Sequence, residues 1–90
     1  MIQEATARIR QMEQYFDLLQ NIADFNPDAL RNDLSIRTIL QMLIQYYESG
    51  QWLRDYALDE QGLLPDNLKR GILAQDSVYD FLYRIREQLP

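Results

Sequence analysis

An apolar residue returns along the first two dozen positions with unbroken 3-4 spacing: Ile2, Ala5, Ile9, Met12, Phe16, Leu19 and Ala23. Such a heptad seam commits residues 2–24 to one amphipathic helix, roughly 35 Å long at helical rise. The opposite face is polar (Glu4, Arg8, Gln11, Glu13, Asp17, Gln20), and neither Gly nor Pro interrupts the run. Phe25-Asn26-Pro27 then stops this helix and starts another at once. Pro disfavours helical geometry in the residue before it and suits the first position of a new helix. Asn26 is therefore expected as N-cap and Pro27 as the first helical residue. Phe25 and Leu30 hold the two positions of a hydrophobic staple. Two long helices with almost no linker must fold back as an antiparallel hairpin.

The second helix is expected over residues 27–48. Ile36, Ile39, Leu40, Leu43, Ile44, Tyr46 and Tyr47 spread over roughly 140° of its circumference, too wide an arc for one neighbour. Its later half is thus sandwiched between the first helix and the chain beyond Gly50. Ser49-Gly50 ends it, and a short helix carrying Trp52, Leu53 and Tyr56 follows, stopping before Gly62. Leu63-Leu64-Pro65 reads as an apolar connector, and residues 65–70 as one helical turn closed by Gly71. A last helix over 75–89 has Val78, Phe81, Leu82, Ile85 and Leu89 as its stripe, with Tyr79 and Tyr83 along one edge. The fold class is all-α: a long antiparallel helical hairpin with a short helix, a Pro-containing turn and a C-terminal helix packed across it. This is a three- to four-helix bundle, a single domain over residues 1–90.

Composition removes much chemistry. The chain has no His and no Cys. Serine or cysteine catalysis through imidazole, thiolate chemistry, disulfides and imidazole metal ligation are therefore out of reach. The opening Met-Ile-Gln-Glu has no basic segment leading into an apolar one, so no signal peptide is expected and a cytoplasmic location is. No apolar run approaches a membrane span. Fourteen acidic against nine basic residues give a formal charge of −5, which argues against direct binding of nucleic-acid phosphates and permits a basic protein partner.

The segment Trp52–Gly71 concentrates the unusual residues. It holds the only Trp and the only Lys, and a knot of carboxylates at Asp55, Asp59, Glu60 and Asp66. Asp55 and Asp59, one helical turn apart, repel each other. Oxygen ligands of this kind suit Mg²⁺ or Ca²⁺, yet no calcium-loop spacing is present. Paired carboxylates could serve glycoside hydrolysis, but that needs a cleft a small helical bundle rarely offers. Lys69 with Ser49 or Ser77 lacks the S-x-x-K spacing of a Ser-Lys dyad. The reading preferred here is internal pairing, with Lys69 and Arg70 folding back onto Asp55 and Asp59. Trp52 then plugs the open end of the hairpin against Tyr47 and the last helix, so Trp52, Asp55, Lys69 and Arg70 form a structural cap. No catalytic residue, metal or cofactor is expected.

From Tyr46 to about Ile85 the chain resembles a family of short bacterial proteins known as domain of unknown function 4298. The residues that carry the resemblance are Tyr46-Tyr47-Glu48-Ser49-Gly50, Trp52, Asp55-Tyr56, Asp59-Glu60, Gly62, Leu64-Pro65, Leu68-Lys69-Arg70-Gly71, Leu73, Asp76, Val78-Tyr79-Asp80 and Leu82. Ala57-Leu58 and Ala74 depart from the pattern, the latter where a Ser would cap the last helix. The resemblance implies a helical cytoplasmic protein and transfers no catalytic residue. The function expected is a non-enzymatic protein–protein interaction module. Its surface is Asp59, Glu60, Asp66, Tyr79 and Tyr83, and its partner is an unidentified protein, with the chain a monomer or a homodimer. The alternative is an acidic inhibitor of phage type that mimics nucleic acid and blocks a basic protein.

Overall fold

The computed structural model of the protein describes residues 2–89. Helix α1 (Ile2–Phe25) has the length its seam requires, in a molecule measuring 38 × 20 × 19 Å. Ala5, Ile9, Phe16, Leu19 and Ala23 bury that seam, Met12 is half-buried, and Ile2 stays exposed at the end.

The hairpin turn departs from expectation. The Ala29 amide bonds the Asn26 carbonyl at 3.0 Å and the Leu30 amide the Pro27 carbonyl at 3.1 Å, so the chain makes one tight turn before helix α2 (Ala29–Asn32). Asp28, not Asn26, precedes that helix. Phe25 is 83% exposed while Leu30 is fully buried, so the expected staple does not form. The second long helix is also broken: α2 is separated from α3 (Leu34–Glu48) by Asp33 in an extended conformation. The Asp33 carboxylate accepts hydrogen bonds from the amides of Ser35 at 2.9 Å and Ile36 at 3.2 Å. A short acidic side chain satisfies free amides at a helix start better than it propagates a helix, which accounts for the break. Asp33→Ala is expected to cost about 1 kcal/mol, a fall in melting temperature of roughly 4–8 °C, while Asp33→Asn keeps most of it. Thermal unfolding followed by circular dichroism checks this.

Helix α3 packs against α1, α2 and α4, as its wide apolar arc requires. Leu40, Leu43 and Tyr46 are buried, and Ile36, Ile39, Ile44 and Tyr47 pack half-buried around them. Gly50, at φ 93°, turns the chain into α4 (Gln51–Glu60); a side chain there would be strained. Beyond α4 the chain is less regular than expected. Pro65–Leu68 is a single turn, closed by the Leu68 amide on the Pro65 carbonyl at 3.2 Å. Gly71 opens a 3₁₀ turn (Gly71–Leu73) instead of closing a helix. Helix α5 (Ser77–Arg84) is shorter than the 75–89 expected, and a 3₁₀ turn at Arg86–Gln88 follows it.

Phe81 on α5 meets Phe16 on α1 edge to face at 5.5 Å. An Arg84–Asp24 ion pair, and hydrogen bonds from Arg31 to the Glu87 carbonyl and the Gln88 side chain, hold the end of the chain to the hairpin turn. The fold is all-α, and its buried apolar side chains, Ala5 apart, form one contiguous cluster. Among the described residues no strand occurs, and no helix is long and apolar enough to cross a membrane.

Candidate functional site

Asp55 is the only fully buried carboxylate among the described residues, and three helices converge on it. Arg8 on α1 donates from Nε to Oδ2 at 2.9 Å and from Nη2 to Oδ1, a bidentate pair. The Tyr46 hydroxyl on α3 donates to Oδ2 at 2.7 Å. A carboxylate on α4 thus bonds α4 to both arms of the hairpin. The repulsion between Asp55 and Asp59 is relieved by separate cations: Arg8 takes Asp55, and Arg70 takes Asp59 at 3.0 Å. This corrects the expected pairing, since Lys69 meets neither. It reaches Asp17 on α1, and hydrogen bonding to that carboxylate raises its ammonium pKa. Neighbouring residues outside a helix project to different sides, so Lys69 and Arg70 could not both close on one helical face.

Burial, then the hydrogen bond to Asp55, pushes the Tyr46 hydroxyl well above its ordinary pKa of 10.0. A phenol that keeps its proton when folded and loses it near pH 10 when unfolded contributes stability in full below that pH. The contribution falls as pH rises, by up to about 1.4 kcal/mol per pH unit for this one group. The urea midpoint is expected to drop more steeply between pH 10 and 11.5 (about one and a half units) in the wild type than in Tyr46→Phe. The variant starts about 1.5–3 kcal/mol lower at neutral pH through the lost bond to a charged group. Parallel slopes would show that Tyr46 does not retain its proton.

The second fastening is at Ile72. Trp52 is buried, stacks on Tyr56 at 5.2 Å, meets Tyr47 edge-on at 5.4 Å, and donates from Nε1 to the Ile72 carbonyl at 2.8 Å. The Ile72 amide donates to Glu13 at 3.1 Å. Glu13 was expected on the polar face of α1, yet it is buried under the 3₁₀ turn. Gly71 lies against it: a Cβ there would stand 3.4 Å from both carboxylate oxygens, a close contact. Its position four residues after Ile9 and three before Phe16, on the buried side of α1, is the signal that could have found it.

Tyr79 and Tyr83 are 57% and 59% exposed. They line a groove of about 330 Å³ together with Tyr47, Leu82, Leu89, Glu48 and Arg86. The Arg86 guanidinium lies over the Tyr83 ring at 4.3 Å. Tyr47 joins this groove to Trp52 and, through it, to Tyr56. Hydrogen bonding to Glu60 raises the Tyr56 phenol pKa, which sets an exposed acid at the far end of the aromatic row. Of the candidate surface residues, Tyr79 and Tyr83 come together; Asp59 is held by Arg70, and Asp66 is exposed on the Pro65–Leu68 turn, outside the groove. Tyr47 and Glu48 are the lining residues that spacing on the last helix could not reveal. Among the described residues, no group of three or more acids is arranged to hold a metal ion.

Residues 9–89 match the family model described as Domain of unknown function (DUF4298). The match takes in most of the hairpin as well as the 46–85 stretch. No curated protein and no solved structure matches the chain.

Proposed function

The chain belongs to the DUF4298 family, and we propose that it is a non-enzymatic module that binds another protein through the groove of Tyr47, Tyr79 and Tyr83. The observation that supports this reading is the pair of tyrosines held more than half exposed over Leu82 and Leu89 at a groove. Aromatic side chains of this kind are enriched where a partner covers them. The Glu48 carboxylate and a net charge of −5 favour a partner segment that brings a cationic side chain. A bacterial cytoplasmic setting belongs to the same proposal and rests on the family resemblance. The alternative, an acidic mimic of nucleic acid, draws less support. Asp17, Asp24, Asp55 and Asp59 are each paired with Lys or Arg, which weakens the field such a mimic needs.

A photo-crosslinking amino acid at position 79 or 83, in the native cell, is expected to capture the same partner from both sites. The same group at exposed Gln41 on α3 should not. Tyr79→Ala with Tyr83→Ala is expected to weaken binding of that partner at least about tenfold, with little change in melting temperature. Equal capture from position 41, or loss of capture on adding DNA or RNA, would overturn the reading.

A further inference from the structure

A second groove, of about 380 Å³, opens between the start of α1 and α4. It is independent of the tyrosine groove. Its walls are Ile2, Ala5, Leu58 and Leu63, and it carries two cations, Arg8 and Arg54, together with the Asp55 carboxylate that Arg8 pairs with. Its volume lies within the ~300–1,000 Å³ typical of small-ligand sites. Ile2 and Leu63 leave 36% and 50% of their surface in water, so aliphatic area is available for cover.

The charges say what end of a ligand belongs there. Arg54 is exposed and makes no ion pair among the described residues. Arg8 gives Nε and Nη2 to Asp55, and its side chain stays 29% exposed, which leaves Nη1 free to donate. Asp55 is fully buried and already accepts from Arg8 and Tyr46, so its charge is answered inside the protein. Glu4, one turn before Arg8, is the exposed acid that opposes an incoming anion.

The backbone says what the rest of the ligand lacks. At the α4 wall the Leu63 amide bonds the Leu58 carbonyl at 3.1 Å, the Gln61 amide the Ala57 carbonyl at 3.1 Å and the Gly62 amide the Asp59 carbonyl at 3.0 Å. These three amides and three carbonyls are spent within the chain. We propose that this groove binds a medium-chain aliphatic carboxylate, its chain lying on Ile2, Leu58 and Leu63 and its carboxylate on Arg54 and the free edge of Arg8. Planar guanidinium groups match a carboxylate, and a bare alkyl chain asks for no hydrogen bonds from the walls.

The test is a ¹⁵N-resolved NMR titration of the full chain with octanoate, 1-octanol and octylammonium. Octanoate is expected to shift the amides of Ala5, Arg54, Leu58 and Leu63 saturably, with octanol at least about fivefold weaker and octylammonium weaker still. Arg54→Gln, at an exposed side chain, is expected to remove about fivefold of the octanoate affinity and none of the octanol affinity. Glu4→Gln should strengthen octanoate binding. An absence of shifts at millimolar octanoate would overturn the site, and equal binding of octylammonium would overturn its selectivity for an anion. Tighter binding of a short peptide ending in a leucine carboxylate would overturn the assignment to a small molecule.

Discussion

Arg8→Met is expected to destabilise the protein by about 3–5 kcal/mol, which is the cost of leaving a buried charge without its partner. Asp55 has no exposed surface, and Tyr46 alone would remain to meet it. The converse change is milder. Asp55→Leu leaves a guanidinium that already reaches solvent and a tyrosine hydroxyl that has lost its acceptor, for about 1–3 kcal/mol. The two partners of one ion pair are thus expected to differ in cost because they differ in burial. The Lys69–Asp17 and Arg84–Asp24 pairs are exposed on both sides, and pairs of that kind contribute little to stability. Urea unfolding of the single variants orders these effects, and an Arg8→Met cost no larger than that of an exposed pair would contradict the buried role of Asp55.

Trp52→Ala is the second large effect, expected at about 3–5 kcal/mol. The ring fills the space between Tyr47 and Tyr56, and its nitrogen is fixed to the Ile72 carbonyl. Truncation empties that space and removes the hydrogen bond together. Trp52→Phe separates the two contributions: it keeps an aromatic ring and loses the bond, at about 1–3 kcal/mol. For a domain of this size the Ala variant should melt lower by roughly 15 °C or more. The damage should begin in the connector, because Ile72 is held by side chains, with its amide on Glu13 and its carbonyl on Trp52. Hydrogen exchange should therefore rise first at Ile72 and Leu73 and later in α1. Uniform loss of protection across the chain would show that Trp52 supports the whole core equally.

What was legible in the sequence is what periodicity carries. The seam from Ile2 to Ala23 specifies α1, and the wide arc from Ile36 to Tyr47 specifies a helix with neighbours on two sides. The exposure of Tyr79 and Tyr83 follows from their place about 100° off the stripe of α5. The break at Asp33 was hidden because Leu30 and Leu34 continue an apolar stripe across it, although Leu34 is 80% exposed once the chain kinks. Arg8 and Asp55 stand 47 residues apart, and nothing in local spacing announces such a pair. Lys69 and Arg70 looked equivalent as neighbours in sequence, but side chains of adjacent residues diverge, and only Arg70 meets the acids of α4. The tyrosine groove needs Tyr47 and Glu48 beside α5, and that placement depends on how the irregular connector delivers α5 to the bundle.

Both grooves depend on α4 and the connector being closed onto the hairpin by the buried link of Arg8, Asp55 and Tyr46. A double-mutant cycle on Arg8→Met and Asp55→Leu measures that link directly. The double variant replaces a buried ion pair by apolar side chains, which is commonly close to neutral once both charges are gone. It is expected to be no less stable than Arg8→Met alone, so its cost falls short of the sum of the two single costs by at least about 1–3 kcal/mol. Additive costs would mean that Arg8 and Asp55 do not meet in the folded protein, and α4 would have to be placed differently.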